Sequence, residues 1–600
     1  MKTGLFKQRC LCFVEEEEMR TLFMLLMFFW PLLFAGLAFA NNISVSNVKL
    51  QNLDATAGTI EIKFDLSWDN TFNGTDENGQ AFFDRAWVFA KFYRADTGVW
   101  DHVPLSTGGT VAAYNTTDKT GITADGVGAF LKPGANQTFV WQYTHVPVTM
   151  TIANPCVVTY KGHGLPANSP ITFSTDGVLP AAMTAGTVYY VHSPTADSFN
   201  ISTTPGGTRI STSGNTQSGQ QRINAPAIMF GDNIQVKVFA IEMVYIPQGA
   251  FTVGSGGAEP GAFYTSPTTT SPYTISSENA INVGSTAGYL YYNASYSSYA
   301  GDRTGTIPAD YPKGYNAFFI MKYEITQGQY RDFLNNLTRT QQNNRIYTQS
   351  ASYFTLYNSN TVSTYRNGVR NPDFVPASPE SITFGCDLNS NGIFNEADDG
   401  EWIPCFMSEA DGRAYADWAG LRPFTELEYE KAARGGGMMP NANEYAWGTT
   451  NIVQATGVAN GGTKDEMAIP DSVNAIYGDV AALEDGPLRS GFAATASSGR
   501  EQAGASYYGV MELSGNLWER PVTCGTSYGR NFTGLHGNGF LDSSGNSNVS
   551  GWPASNGFGL RGGTCTDTTI SRLCISDRYY GGYNSSSRSS NYGFRAARTE

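Results

Sequence analysis

Histidine is almost missing from this chain of 600 residues, which carries five: His102, His145, His163, His192 and His536. That scarcity removes histidine-built zinc sites, and no H-E-x-x-H, G-x-S-x-G or phosphate-cradling glycine loop takes their place. Cysteine is sparse as well. Cys10 and Cys12 precede an apolar leader; Cys156, Cys386, Cys405, Cys524, Cys565 and Cys574 follow it, with no C-x-x-C among them. A zinc ribbon or thioredoxin-like dithiol therefore has no support. Charged residues are only 15%, and the net charge of -14 comes without any Lys/Arg cluster, which argues against a nucleic-acid partner. The carboxylates are scattered, so no acid/base pair and no catalytic residue is assigned. His536 in "GLHGNG" reads as a loop hydrogen-bonding residue rather than a base.

What is abundant is glycine, 66 residues, and aromatics at 13%. This composition suits loop-rich β or mixed domains, and the length implies about two to four of them. Residues 1–40 read as a leader. "TLFMLLMFFWPLLFAGLAFA" ends in Ala38-Phe39-Ala40, a small-x-small cleavage pattern, with Met19 as an alternative start after the acidic run Glu15 to Glu18. The expected location is secreted, periplasmic or cell surface. The alternative is an uncleaved anchor, the one route by which the chain would contact a membrane.

Beyond the leader the chain reads as β. "IEIKFDLSW" sets Ile60, Ile62, Phe64, Leu66 and Trp68 against Glu61, Lys63, Asp65 and Ser67, the period of a half-buried antiparallel strand. "RAWVFAKFY" and "IQVKVFAIEMVYI" are read as alternating in the same way. The expectation is an immunoglobulin-like sandwich over 41–152 and 222–241, interrupted by a small β module over 153–221. Within that module, "HGLPANSPITF" and "AGTVYYV" resemble β modules of phage tail and surface-adhesin proteins. From 242 to 600 short helices enter at Thr326, Ser408 and Thr425. "TELE" at Thr425 is a full capping box and the other two are looser versions, while Gly420 and Gly435 supply stops. Cys386 and Cys405 form a plausible disulfide in an oxidising compartment.

The ordered marks of this last region are "MVYIPQGAFTVGS", "FFIMKYEITQGQYRDFLN", "LRPFTELEYEKAARGG", "EYAWGT", "YYGVMELSGNLWER", "LRGG" and "YGFR". Together they resemble the formylglycine-generating, sulfatase-modifying factor family. The resemblance implies a compact α+β domain related to C-type lectin folds. It also implies a copper-dependent oxidase acting through two closely spaced cysteines shortly after the Gly-Gly. Here "RGGTCTDTTISRLCISDR" places Cys565 and Cys574 nine residues apart and lacks the family's His and Tyr-Cys pattern. Soft thiolate pairs hold Cu(I), so copper is not expected and the enzyme reading is the alternative to binding. In the family the "GNxWE" turn contributes to a structural calcium, which implies Glu519 beside Asn516 and Trp518.

A second calcium candidate comes from spacing. "DLNSNGIFNEAD" offers Asp387, Asn389, Asn391, the Ile393 carbonyl, Asn395 and Asp398 at positions one, three, five, seven, nine and twelve, with Gly392 at six. Oxygen ligands at these intervals wrap a hard cation, although the last ligand is Asp and flanking helices are not evident. The alternative is a turn cluster without an ion.

From Thr564 to Tyr592 the chain contains no Lys, Gln, Glu, Met or Trp. Those five are the residues never produced when the adenines of an Asn codon are randomised. The segment thus resembles the variable proteins of diversity-generating retroelements, whose variable residues lie at the end of a lectin-related domain. Tyr, Ser, Gly and Asn also give antibody loops rigid aromatic area with adaptable polar neighbours. The expected anchors are Tyr579, Tyr580, Tyr583 and Tyr592, with Asp567, Asp577, Asn584 and Asn591 as polar contacts. Arg572, Ile575, Arg578 and Arg588 are expected as framework. The expected partner is a protein or glycan at a cell or phage surface, with an ordinary undiversified loop or a purely structural surface protein as the alternatives.

Overall fold

The computed structural model describes residues 42–600 except 55–58, 95–97, 143–145, 161–164, 166, 196, 214–215, 225–234, 293–298, 300, 349–353, 356–363, 372–379, 481–482, 484–485 and 496. The leader, His145 and His163 lie outside the described residues. Among the described residues no helix is long and apolar enough to cross a membrane. The chain is mostly β with short helices, and it has several distinct cores.

Strands Ser44–Asp54, Thr59–Ser67, Gly134–Gln142 and Leu105–Ser106 form a four-stranded sheet in that order. Thr59–Ser67 alternates as its sequence dictates, with Ile60, Ile62, Phe64 and Leu66 buried. These side chains pack on Ala86, Val88, Ala90 and Phe92 of strand Ala81–Arg94, which belongs to a second, nine-stranded sheet. The main path of that sheet runs Arg422–Pro423, Ala596–Thr599, Phe318–Met321, Gln235–Ile246, Ala81–Arg94, Ala129–Leu131, Gly121–Ile122.

Here the half-buried expectation for "RAWVFAKFY" fails. Trp87, Val88, Phe89 and Ala90 are all fully buried. The odd positions face a second core containing Ile241, Met243, Tyr330, Phe333 and Trp418, while the even ones face the first sheet. A strand covered on both faces reads as a near-continuous apolar run, and each large side chain so buried contributes roughly 1.5–3 kcal/mol. Gln235–Ile246 pairs along its length with this strand, from Gln235 opposite Tyr93 to Tyr245 opposite Phe83. It then pairs with Phe318–Met321 on its other edge. Polar ties reinforce the junction: Trp87 Nε1 donates to Ala419 O at 2.7 Å, and Lys91 Nζ donates to the carbonyls of Trp418 and Gly539 at 2.7 and 2.6 Å.

Between these sheet strands the chain forms a separate closed barrel. Its strands run Val146–Met150, Val157–Thr159, Ser198–Ser202, Tyr189–His192, Pro170–Thr175, Gln221–Asn224. Val158, Ile171, Phe173, Val191, Phe199 and Ile201 fill it.

Among the described residues the α-helices are α1 (Gln327–Leu334), α2 (Arg339–Arg345), α3 (Glu409–Trp418), α4 (Glu426–Arg434) and α5 (Ser527–Arg530). The boxes at Thr326 and Ser408, read as loose, are complete, as is the one at Thr425. Gln329 and Asp411 close them because either side chain, like Glu, can accept from the cap's own N–H. A fourth box at Thr338 opens α2. Gly435 ends α4 at φ 100, and Gly420 follows the end of α3 at φ 71, conformations that favour glycine. Cys386 and Cys405 are buried thiols that are not bonded to each other; both pack as small apolar groups in the main core.

Candidate ligand-binding surface

Every residue of α4 is buried, including Glu426, Glu428, Glu430, Lys431 and Arg434. Burial of so many charges requires partners: Arg422 pairs with Glu428, the Pro247 and Gly314 carbonyls hold Lys431, and the end of the chain supplies the partners of Glu426 and Glu430. Arg578 donates from Nε and a terminal nitrogen to Glu426 at 2.7 and 3.0 Å. Arg561 donates to Glu426 at 3.1 Å and to Glu430 at 2.7 Å. Arg434 joins Glu430, Glu444 and the Ser576 hydroxyl. Burial alone would raise the Glu426 carboxyl; Arg578 and Arg561 outweigh it and hold it down at about 2.

Two further arginines fix the rest of the segment. Arg520 donates to the carbonyls of Ser585 and Ser587 at 2.8 and 2.9 Å and lies over the Tyr592 ring at 4.3 Å. Arg588 forms a bidentate pair with Asp411 at 2.8 Å for both bonds, and Arg345 adds a third at 3.3 Å. Ile575 is fully buried. The segment is therefore pinned within the fold along its length.

Above this frame the tyrosines touch one another. Tyr580 meets Tyr579 at 4.7 Å and Tyr583 at 5.2 Å between ring centroids, both edge to face. Tyr299 approaches Tyr583 at 5.0 Å and Tyr580 at 5.8 Å, and Trp518 meets Tyr580 from below at 5.6 Å. The Arg572 guanidinium lies over Tyr579 and Tyr580 at 5.0 and 5.2 Å. Tyr579, Tyr580, Tyr583 and Tyr592 are all partly exposed, and Asn584 is exposed. Asn591 is held lower, its Oδ1 accepting from Thr566 Oγ1 at 3.1 Å.

Asp567 and Asp577 lie beneath this face rather than on it. Asp567 pairs with Arg572 at 2.8 Å and accepts the Thr564 N–H at 3.1 Å. Asp577 is 1% exposed; its Oδ1 accepts the Tyr579 N–H at 2.9 Å and its Oδ2 is buried without a partner. Burial raises its carboxyl to about 7. Tyr299 joins this surface, and the buried Trp518 and Arg520 support it from beneath, without having been read as part of it. A signal for Tyr299 exists, because "GYLYYNASYSSYAG" uses the same Tyr/Ser/Gly/Asn alphabet.

The two late cysteines do not meet in one core. Cys565 packs with Phe406, Ile476 and Leu517, and Cys574 with Tyr429, Tyr445 and Leu573. Burial pushes Cys565 up to about 12 and raises Cys574 as well, the reverse of an activated thiolate. His536 accepts the Thr599 N–H at 3.0 Å through Nε2, and burial lowers its pKa well below the usual value.

At both calcium candidates several of the expected donors already have partners within the chain. Glu519 is fully buried and accepts from Arg595 Nε at 2.5 Å, while Asn516 Oδ1 accepts the Leu488 N–H. The other Glu519 oxygen, Oε2, is buried without a hydrogen-bond partner, and the Arg595 cation lies against the same carboxylate. In the 387–398 loop Gly392 makes the expected turn at φ 82. Asp387 is paired with Arg370 and accepts the N–H groups of Asn391 and Gly392 at 3.1 and 3.2 Å. Asn389 and Asn391 accept the N–H groups of Asn391 and Ile393 at 2.9 and 2.7 Å. Asn395 accepts from Cys386 N and Arg331, both at 2.9 Å, and the Ile393 side chain is exposed. The carboxylates that do converge are Glu396, Asp398 and Asp399, and Asp398 alone belongs to both sets.

The family model of the sulfatase-modifying factor enzyme 1-like domain matches residues 233–600. Its start falls just ahead of strand Gln235–Ile246, the one that joins the two parts of the large sheet. No curated protein matches the chain.

Proposed function

We propose that this chain, which belongs to the sulfatase-modifying factor enzyme 1-like family, uses the family's framework to bind a ligand rather than to oxidise one. In this reading it is an exported protein that presents the Tyr/Ser/Gly/Asn face of residues 564–592 to a protein or glycan at a cell or phage surface. The N-terminal sheets serve as an immunoglobulin-like stalk, and the domain that carries the face is lectin-related. The observation that carries the reading is a cluster of partly exposed tyrosines set on arginines that pair with buried carboxylates. Tyrosine with two side-chain torsions already restrained by packing presents contact area at low entropic cost. The thiols of Cys565 and Cys574, buried in separate cores with raised pKa, offer no soft pair for Cu(I).

We further propose that residues 564–592 are the diversified target of a diversity-generating retroelement. Arginines that hold the backbone from below leave the outward positions free to change without loss of the fold. Sequencing the DNA beside the gene tests this. A near-identical repeat differing at adenines, next to a reverse transcriptase, is the expected result, and its absence overturns diversification. Binding against oxidation is tested by incubating the full chain with copper and a sulfatase-type cysteine peptide. No turnover is expected; turnover lost in Cys565→Ser or Cys574→Ser would sink the binding reading.

A further inference from the structure

A buried lysine and two buried carboxylates meet where three neighbouring strands of the large sheet lie side by side. Asp84 stands on Ala81–Arg94, Glu242 on Gln235–Ile246, and Lys322 directly follows Phe318–Met321. The register sets Val244 opposite Asp84 and Ala86 opposite Glu242, so the two carboxylates are diagonal neighbours on one face. The Lys322 N–H donates to Glu242 O at 2.9 Å and anchors its backbone beside them. Its Nζ lies 3.3 Å from Asp84 Oδ2 and 3.1 Å from Glu242 Oε2. Asp84, Glu242 and Lys322 are only 2, 3 and 4% exposed, so water does not reach between them. Aromatic rings close the site, with Nζ 5.2 Å from the Phe72 centroid and 5.4 Å from that of Tyr323. Both Asp84 oxygens are held by N–H donors, Oδ1 by the Phe72 backbone at 3.2 Å and Oδ2 by Trp68 Nε1 at 3.3 Å. Glu242 Oε1, by contrast, is buried with no hydrogen-bond partner.

We propose that Lys322 and Asp84 condense to an amide, a covalent cross-link between their side chains, with Glu242 as the proton carrier. An ammonium and a carboxylate kept out of water are costly, and an amide in their place removes both charges. Nζ already rests against the carboxyl group it attacks, so the fold supplies the orientation that such a reaction lacks in water. Burial opposes the Lys322 charge, but Glu242, Tyr323 and Asp84 outweigh it, so the reaction starts from the ion pair. Burial also raises the Glu242 carboxyl, which makes it a better base than an ordinary carboxylate. One proton passes from the ammonium through Glu242 to the Asp84 carboxylate, leaving a neutral amine and a neutral acid. The Nζ lone pair then forms the N–C bond to Asp84 Cγ, and the Phe72 and Trp68 N–H groups hold the negative oxygen of the adduct. A second Nζ proton travels through Glu242 to the hydroxyl on that carbon, and the C–O bond breaks to release water. Glu242 ends as it began, and nothing is oxidised or reduced. The bond joins residues 238 positions apart across the strand between them, tying the N-terminal sheets to the domain that carries the tyrosines. It stands independently of the binding role of the tyrosine face.

The test is tryptic digestion of the full chain after denaturation, read by mass spectrometry. Asp84 lies in the tryptic peptide of residues 64–85, and cleavage after Lys322 needs its free amine. The expected product is one branched peptide joining residues 64–85 to 314–331, lighter than the two linear peptides together by one water, with cleavage after Lys322 lost. Lys322→Arg should give linear peptides alone. Glu242→Gln, which keeps both reacting groups, should also stay linear while its circular dichroism matches the parent. Linear peptides of 64–85 and 314–322 from the parent chain would overturn the cross-link, as would a branch mapped to any other pair of residues. A branched peptide in Glu242→Gln would overturn the role of Glu242 as proton carrier.

Discussion

Arg561, Arg578 and Arg588 on one side, and Tyr579, Tyr580, Tyr583 and Asn584 on the other, come from the same stretch of chain. The arginines reach inward to Glu426, Glu430 and Asp411, and every one of those carboxylates is buried. The tyrosines reach outward and pack chiefly on one another. The difference teaches how the proposed recognition face would be made tolerant. Specific, costly interactions are confined to positions that face the core, and the outward positions hold side chains whose loss leaves no charge unpaired.

The strongest way to break that division is Glu426→Gln, which leaves Arg561 and Arg578 buried beside a neutral amide. Chemical unfolding should show a loss of about 3–5 kcal/mol. Because the Glu426 carboxyl is held at about 2, its contribution is present above about pH 4.3 and is lost as the pH falls through 2. The acid limb of the stability curve should therefore flatten in the variant.

Asp577→Asn probes the one buried carboxylate of the segment with an unmatched oxygen. Its folded pKa is raised to about 7, so its contribution to stability is present below about pH 3.9 and lost as the pH rises through 7. The variant should gain about 1–3 kcal/mol over the parent at pH 8 and nothing at pH 4. A parent-to-variant difference that does not change with pH would place the Asp577 charge in a solvated setting.

Arg520→Gln should act locally. Loss of the Ser585 and Ser587 carbonyl bonds should raise hydrogen exchange across residues 584–591 at a global cost of about 1–2 kcal/mol. Equal exchange in parent and variant would mean that the loop is held by its tyrosines instead. Tyr583→Ser should change stability least, by about 0.5–1.5 kcal/mol from lost ring contacts. It should nonetheless lower binding to target cells by tenfold or more, on the order of a binding hot spot. Large destabilisation here would erase the distinction between frame and face.

Much of this was legible in the chain because it is local. A Thr or Ser followed three residues on by Gln, Asp or Glu specifies a helix start by itself, and α1, α3 and α4 begin where those patterns stand. The alternation over Ile60 to Trp68 needed only a two-residue period. The framework arginines stood out as charges within a polar alphabet. "RAWVFAKFY" misled because aromatic residues and a lysine stem satisfy a two-sided burial that alternation does not encode; Lys91 is itself fully buried, with its ammonium on two carbonyls. The pairing of Asp387 with Arg370 was not legible either, since the loop sequence does not contain its partner.

The sequence by itself determined the family, the helix caps and the composition of the tyrosine face, because each is written in contiguous residues or ordered marks. Only the tertiary structure decided which carboxylate neutralises which arginine and that Tyr299 and Trp518 join the tyrosines. Glu426 and Arg578 stand 152 positions apart, and nothing in either neighbourhood names the other. The physical reason is that a buried charge is settled by whatever the fold brings within about 3 Å of it, whereas a cap or an alternating strand is settled by its own next few residues.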